Sequence, residues 1–143
     1  MTVDLHAATI EMPSFDELVE AYLVRATTDS SVGAIVVLHH LPGYDEATKE
    51  ITRKFAANRY NVICVNLYSR DAPGASPDDA APSVRAAGGV ADERIVGDVG
   101  DAAEYLRALT NSNQKVGVIG YCSGGRQSVL AARTLALDAC VDC

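Results

Sequence analysis

Apolar and polar positions along the chain follow two different periods, which predicts strands and helices in a regular order. The stretches "TVDLHAATIEM" and "ELVEAYLVRA" alternate or nearly alternate, so we predict two early strands that pair as a hairpin at a sheet edge. Three continuous apolar runs follow: "GAIVVLHH", "NVICVNLY" and "KVGVIGY". Runs of this kind are typical of strands buried on both faces of a parallel sheet.

Segments with the helical period separate these runs. Asp45 to Asn58 predicts a helix with Ala47, Ile51 and Phe55 on one stripe. The pattern from Asp92 to Leu109 predicts a longer helix, and Gly125 to Leu137 a third. The apolar stripe of the longer helix consists of Ile95, Val99, Ala102, Leu106 and Leu109.

The remaining segments are less regular. Ser69 to Val90 is rich in Pro, Gly, Ala and Asp, which favours a long binding loop or a disordered segment. The final "DACVDC" predicts the start of one more strand, with Cys140 and Cys143 as small residues of a buried strand. The order of elements predicts an α/β fold, a mostly parallel sheet with helices on both faces, in a single domain over residues 1–143.

The carboxyl ends of the three buried runs carry the candidate chemistry. In "GYCSGG", Cys122 stands between a strand and a helix, and Gly120 and Gly124 leave room for a tight turn. Such a turn lifts a thiol above the sheet at a helix N-terminus, where N–H groups and the helix dipole favour the thiolate. This spacing matches the G-x-S-x-G nucleophile elbow, with Cys replacing Ser. A phosphate-binding loop is disfavoured, since neither glycine-rich nucleotide motif is complete.

Composition and charge narrow the classes of function. A net charge of −7 over 143 residues argues against nucleic acid or an anionic membrane as a partner, although local arginines can still hold a small anion. No secretory signal is recognisable, so we expect a cytoplasmic protein with four reduced cysteines. A redox or zinc role for the Cys140–Cys143 pair is disfavoured, because residues three apart on a strand point to opposite faces.

The motifs "GYCSGGR", "HHLPGYDE", "NVICVNLYSRDAPG" and "GGVADERIVGDVGDAAEYLRAL" together resemble the dienelactone hydrolase family of α/β-hydrolases. The resemblance runs from about Ala34 to the last residue. It implies hydrolysis of small lactones or esters by a Cys-His-Asp triad, with no cofactor and no metal. The name-giving reaction opens a carboxylated dienelactone to maleylacetate.

The resemblance assigns expected roles position by position. Cys122 matches the nucleophile, and the backbone N–H groups of Ser123 and Leu41 match the oxyanion hole. Arg85 falls where the founding enzyme has an arginine that holds the substrate carboxylate, and Arg70 closes a Tyr-x-Arg element beside the site.

His39 and His40 replace a Gln-Glu pair of the founding enzyme, which marks a distinct subgroup and leaves dienelactone itself open as the substrate. Two interpretations of His40 stay open: it pairs with the Cys122 thiol, or it shapes the pocket floor while His39 ends a strand. A metal site from both histidines and Cys122 is disfavoured, because neighbours on a strand diverge.

The chain after Cys122 contains two carboxylates, Asp138 and Asp142, and no histidine. Because the acid and the histidine follow the nucleophile in α/β-hydrolases, we expect the N-terminal portion of a hydrolase, truncated after the elbow helix. We expect this chain alone not to turn over esters efficiently. The alternatives are a non-catalytic binding module and a thiol-redox protein, and the oligomeric state is open. Cys122 is expected to be the most reactive thiol, with Cys64 and Cys140 inert.

Overall fold

A computed structural model describes residues 3–143. The described residues form six strands and four helices, of which three helices were predicted from the sequence. No helix within this range is both long and apolar enough to cross a membrane. The elements are β1 (Leu5–Ser14), β2 (Glu17–Ala26), β3 (Val32–Leu38), α1 (Glu46–Ala57), β4 (Asn61–Val65), α2 (Pro77–Ala86), α3 (Asp92–Arg107), β5 (Ser112–Gly120), α4 (Ser123–Thr134) and β6 (Ala139–Asp142).

The six strands form one sheet in the order β1-β2-β4-β3-β5-β6. The β1–β2 hairpin lies at one edge, as predicted, and joins β4 in antiparallel register. The pairs β3–β4, β3–β5 and β5–β6 are parallel. The predicted fold class is therefore confirmed, and the carboxyl ends of β3, β4 and β5 meet at one edge of the sheet, where ligands of such sheets bind.

Helices cover both faces of this sheet. One core cluster joins the sheet to α2, α3 and α4, and it includes Val99, Ala102 and Leu106 of the predicted α3 stripe. Ile95 is also buried, and Leu109 packs partly buried against the cluster. A smaller cluster joins the opposite face to α1 through Ala56, Val62 and Cys64. On this second face an apolar groove beside Phe55 runs along β3, β5 and β6, so the α1 side of the sheet is less completely covered.

The buried face of α1 differs from the predicted stripe. Thr48, Thr52 and Ala56 are buried, whereas Ala47 is exposed and Phe55 is half-buried. The threonine hydroxyls form hydrogen bonds with nearby groups of the same helix or its cap. The Thr52 hydroxyl, for example, donates to the Thr48 carbonyl oxygen at 2.9 Å. Because their polar atoms are paired within the helix, threonines bury here as small side chains do.

The segment from Ser69 to Val90 contains α2, which the prediction of a loop missed. Ser76 caps the helix by accepting a hydrogen bond from the Asp79 N–H at 3.3 Å, and Pro77 occupies the first turn. Pro82 lies inside the helix, where it removes one hydrogen bond. Ala80, Ala81 and Val84 are buried in the larger core cluster, and their burial offsets that loss. Local helix propensity does not indicate this burial.

The prediction that Cys140 and Cys143 belong to a buried strand is wrong. The strand β6 is the last in the sheet and pairs only with β5 within the described residues, and every β6 residue is exposed. Cys140 and Cys143 are exposed free cysteines, while Cys64 is buried.

Candidate active site

Cys122 lies between the last residue of β5 and the first residue of α4. Its backbone has φ 58° and ψ −113°, a conformation that L-residues adopt at a cost. The turn leaves Cys122 exposed at the N-terminus of α4. The predicted strand–turn–helix context of the elbow is therefore present.

Gly120 and Gly124 are required by the packing of this turn. A Cβ at Gly120 would lie 1.8 Å from the Gly124 carbonyl oxygen. A Cβ at Gly124 would lie 2.5 Å from the carbonyl oxygen of Leu38 and 2.8 Å from that of His39. Because these obstacles are backbone atoms, they cannot move aside, so both positions accept only glycine.

The two predicted oxyanion-hole residues follow neighbouring strands. Leu38 of β3 pairs with Gly120 of β5, and the Tyr121 N–H donates to the Leu38 carbonyl at 3.3 Å. Leu41 and Ser123 each lie three residues beyond that pair. Within residues 3–143 neither backbone N–H has a protein acceptor, so both donors are available to a ligand.

His39 holds the ends of β3 and β4 together. Its Nε2 accepts the backbone N–H of Leu67 at 3.2 Å, and its Nδ1 lies 2.9 Å from the His40 carbonyl oxygen. The ring packs edge-on against Tyr68, with centroids 4.7 Å apart. Burial lowers the pKa of His39 to about 4, so the imidazole is neutral at physiological pH. These contacts fit the strand-end role predicted for His39.

His40 points its Nε2 at Oδ2 of Asp45, 2.7 Å away, and both side chains are about one-third exposed or less. No hydrogen bond joins His40 to Cys122 within the described part of the chain. Asp45 also caps α1, since its Oδ1 accepts the Thr48 N–H at 2.9 Å. Partial burial alone would raise the pKa of Asp45, but hydrogen bonds from Thr48 and His40 hold it below its ordinary value. Sequence reasoning missed Asp45, although an Asp before an apolar-periodic segment signals a helix cap.

Arg85 lies in the last turn of α2 rather than in a loop. Its exposed side chain borders an open cleft that is also lined by Leu41, Pro42 and Ala81. The Arg85 Nε lies 3.4 Å from the Ala81 carbonyl oxygen, and the structure gives the guanidinium no carboxylate partner among the described residues. Two of the predicted site residues, Arg85 and Leu41, therefore share one cleft.

Arg70 is placed differently from the prediction. Its side chain is only 6% exposed, and its guanidinium pairs with the fully buried Asp98, with Nη1 2.9 Å from Oδ2. Its Nε also lies 2.7 Å from Glu17 Oε2, in a contact without hydrogen-bond geometry. Burial raises the pKa of Asp98, although Ser14 and Arg70 oppose that shift. With its guanidinium occupied in this way, Arg70 links the start of β2 to α3 and is not free to bind a substrate carboxylate.

The remaining thiols differ in their surroundings. Burial raises the pKa of Cys64 to about 12, which keeps it a thiol and fits its predicted inertness. The backbone of Cys143 reaches the elbow, where its carbonyl accepts the Cys122 N–H at 2.7 Å. Exposed Cys140 lies 3.7 Å from the Ser128 hydroxyl, so its predicted inertness loses its physical basis, which was burial. Among residues 3–143, no three His, Cys, Asp or Glu side chains converge as metal ligands do.

The chain is similar in sequence to curated proteins. The chain is 37% identical to carboxymethylenebutenolidase 1 of Cupriavidus pinatubonensis over 122 residues, which is 81% of this chain and 52% of that protein. It is 30% identical over 128 residues to carboxymethylenebutenolidase of Pseudomonas putida, covering 86% and 54% of the two chains. The chain thus spans about half the length of the curated relatives it matches.

A solved structure shows the same fold. A Klebsiella pneumoniae protein provisionally named a dienelactone hydrolase superposes with a TM-score of 0.79 at 22% identity, over 92% of this chain and 56% of that one. The sequence profile of the dienelactone hydrolase family matches residues 19–142, which include most of β2, all of β3 to β6 and the whole elbow. The chain belongs to the dienelactone hydrolase family.

Proposed function

We propose that this chain carries the nucleophile of a hydrolase of small carboxylic esters or lactones, with Cys122 as the attacking residue. The observation that carries the proposal is the elbow itself. Cys122 holds a costly positive φ, and the two flanking glycines are required by backbone contacts. Strained residues of this kind cluster at functional sites. Family membership supports the same reaction class.

The geometry supports a mechanism that begins with the Cys122 thiolate. The sulfur attacks the acyl carbon, and the carbonyl oxygen becomes an oxyanion that the N–H groups of Ser123 and Leu41 stabilise. The carbon–oxygen bond of the ester then breaks, a thioester forms on Cys122, and the alkoxide takes a proton from water; in a lactone the resulting alcohol stays attached to the acyl group. Water completes the reaction by hydrolysing the thioester.

The second half-reaction needs groups that these residues do not supply. Asp138 is already engaged, because its Oδ2 accepts the Val116 N–H at 2.8 Å and its Oδ1 lies 3.4 Å from Lys115 Nζ. Asp142 lies against the first turn of α4, where its Oδ1 would be 1.9 Å from a Cβ at Gly125. No histidine follows Cys122 in this sequence. We therefore propose that the chain by itself forms the thioester and hydrolyses it very slowly.

The cleft beside Leu41 supports an anionic acyl group as the substrate class. The guanidinium of Arg85 borders this cleft, and a planar fork suits a carboxylate. A chain with a net charge of −7 otherwise repels anions, so a local arginine is needed to favour a carboxylated substrate over a neutral one.

The test is acylation of Cys122 by activated esters, followed as nitrophenol release and as the mass of the Cys122 peptide. We expect a burst of about one equivalent and no sustained turnover, since losing a triad histidine costs several orders of magnitude in rate. Cys122→Ala should abolish the burst. Arg85→Ala should slow acylation by a carboxylated ester more than by its neutral analogue, and Arg133→Ala, which also removes an exposed arginine from a last helical turn, should slow neither.

Three results would count against these proposals. Absence of the burst would favour a non-catalytic binding module. Sustained turnover that depends on Cys122 would contradict the proposed slow thioester hydrolysis. Equal effects of Arg85→Ala on both esters would remove Arg85 from the substrate site.

A further inference from the structure

A cavity of about 190 Å³ lies at the amino edge of the sheet, at the opposite end from the elbow. Its polar lining comes from His6, Arg25, Thr27, Thr28, Thr110 and Asn111. Since water takes about 30 Å³ per molecule, the cavity has room for a group the size of phosphate. Asn111 precedes β5 and Cys122 follows it, so at about 3.3 Å per residue the cavity lies roughly 25 Å from the elbow.

The register of the hairpin brings two nitrogen-bearing side chains to this cavity. On the face of the sheet that packs on α3, β2 buries Val19, Ala21 and Leu23 in the larger core cluster. Arg25 is the next residue of this alternation, and β1 places His6 directly opposite it. The apolar face of the hairpin therefore ends in an arginine and a histidine, beside the loops that lead into β3 and β5.

Arg25 differs from the other arginines of the described chain. Five of them pair with carboxylates, namely Arg53, Arg70, Arg94, Arg107 and Arg126. Three others are exposed, namely Arg59, Arg85 and Arg133. Arg25 is half-buried, it pairs with no carboxylate within residues 3–143, and its buried Nε has no hydrogen-bond acceptor there. Because a shielded charge without a partner is unfavourable, this guanidinium favours a bound anion.

The other polar groups of the cavity are arranged to donate hydrogen bonds. The Thr28 hydroxyl already accepts the Ser30 N–H at 3.2 Å, which leaves its own proton for a ligand. Oδ1 of Asn111 accepts a hydrogen bond from Nδ2 of Asn61 at 2.7 Å, which leaves the Asn111 Nδ2 as a donor. Two further threonine hydroxyls and the imidazole border the same space. The cavity thus offers a charged fork and several neutral donors.

The charge of this lining is opposite to that of the whole chain. No Asp or Glu among the described residues lines the cavity, although the sequence has 19 acids and 12 lysines and arginines. Asp4 and Asp29, which are acids close to it in the sequence, are exposed and do not line it. The cavity is therefore a local positive site on an acidic protein, which favours a small anion.

We propose that this cavity binds a phosphate group, either as inorganic phosphate or as part of a phosphomonoester. The donors come from three segments: β1, the end of β2 with the turn after it, and the loop before β5. A phosphate group has oxygens that accept hydrogen bonds in several directions, whereas one guanidinium fork alone suffices for a planar carboxylate. The cavity shares no lining residue with the elbow or with the Arg85 cleft, so it is a second site.

The test is a titration of the protein with inorganic phosphate, followed by the backbone amide signals in NMR, with sodium chloride at equal ionic strength as the blank. We expect saturable shifts at residues 27, 28 and 111. Arg25→Gln should weaken binding by about tenfold or more, since hydrogen bonds to charged groups contribute that much. Arg133→Gln is the matched control, because it removes the same charge from an exposed position in the last turn of α4 and should change the affinity by less than about twofold.

Thr110→Val tests the cavity without touching the guanidinium. The change removes a hydroxyl and keeps the branched shape, so we expect the affinity for phosphate to fall by roughly two- to tenfold. Thr110 is exposed, so this variant should fold even if Arg25→Gln does not. Urea unfolding of each variant shows whether the change in affinity comes from the site or from the fold.

Methyl phosphate distinguishes the two sources of the group. Equal binding of both anions supports a phosphomonoester as the ligand, and binding of inorganic phosphate alone supports the free ion. The proposal is overturned if neither anion shifts the cavity amides, or if the shifts appear only beside Arg85. It is also overturned if Arg25→Gln and Arg133→Gln bind phosphate equally, or if acetate binds as tightly as phosphate.

Discussion

Cys122 is one of four non-glycine residues with positive φ in the described part of the chain, with Phe15, Arg59 and Gln114. Phe15 turns the β1–β2 hairpin, Arg59 follows α1, and Gln114 lies where β5 departs from regular pairing with β3. Cys122 differs from these because its strain lies at the carboxyl edge of the sheet. At the scale of the residue, the site therefore depends on backbone geometry as much as on the thiol.

The closest test of that geometry is Gly124→Ala. We expect a loss of roughly 1–3 kcal/mol in the free energy of unfolding, because the new methyl group would meet two backbone carbonyl oxygens that cannot move aside. The measurement is urea unfolding of the variant and the wild type. Gly33→Ala is the control, since its Cβ would find its nearest neighbours at 3.7 Å and should change stability by less than about 0.5 kcal/mol. Similar losses in the two variants would contradict the packing argument.

At the scale of elements, the site depends on how the turns after β3 and β4 are joined. The neutral imidazole of His39 bridges them by accepting the Leu67 N–H and by its contact with the His40 carbonyl. A protonated imidazole would lose the first of these bonds, because its Nε2 would then be a donor. The bridge is therefore sensitive to acid.

We expect this bridge to make stability fall in acid. The pKa of His39 is lowered from 6.5 to about 4, so the unfolded chain binds the proton first as the pH falls. The stabilising effect is complete above pH 6.5 and is lost progressively down to about pH 4, at a cost of roughly 3 kcal/mol from the shift of the pKa.

The measurement is the free energy of unfolding in urea as a function of pH. Asp98, whose pKa burial raises, acts in the opposite direction in part of this window, so the difference between the wild type and His39→Gln isolates His39. His39→Gln should lose the acid slope, and His6→Gln, at an exposed position, should keep it. An unchanged slope in His39→Gln would show that the bridge is not the acid-sensitive element.

At the scale of the whole molecule, the two edges of the sheet differ. One edge is the ten-residue strand β1, and the other is the four-residue strand β6, whose residues are all exposed. Val141 is 47% exposed and lies beside the apolar groove along β5. An exposed apolar edge of this kind is a template for pairing with another chain.

We expect the 143-residue chain to associate as its concentration rises, and Val141→Lys to reduce that association. A lysine on an edge strand opposes edge-to-edge pairing because it brings charge into the new interface. Sedimentation velocity over a range of concentrations measures the effect. Val129→Lys is the control, since Val129 is similarly exposed, at 41%, but belongs to helix α4 and so offers no strand edge for pairing. Equal association of the two variants would exclude β6 as the interface.

Much of the architecture follows from local pattern. Continuous apolar runs predicted β3, β4 and β5, and alternation predicted the hairpin. The predicted stripe of α3 is buried except for Leu109, which follows the helix and is partly buried. The glycines around Cys122 predicted the elbow, because a tight turn directly from a strand into a helix leaves room only for residues without a bulky side chain. These features depend on residues that are close together in the chain, so the sequence pattern alone predicts them.

Long-range partners were decided only by the tertiary structure. The sequence predicted Arg70 to be a site residue, but in the structure it pairs with buried Asp98, which lies 28 positions away in the chain. Cys140 was predicted to be buried, but β6 lies at the sheet edge and leaves it exposed. The helix α2 forms despite Pro82 because Ala80 and Ala81 are buried in the larger core cluster. The sequence by itself therefore determined the order of the elements other than α2, and the thiol on its turn. The fold decided which charges are neutralised, which edge is open and that His40 faces Asp45, because ion pairs and burial depend on residues that only folding brings together.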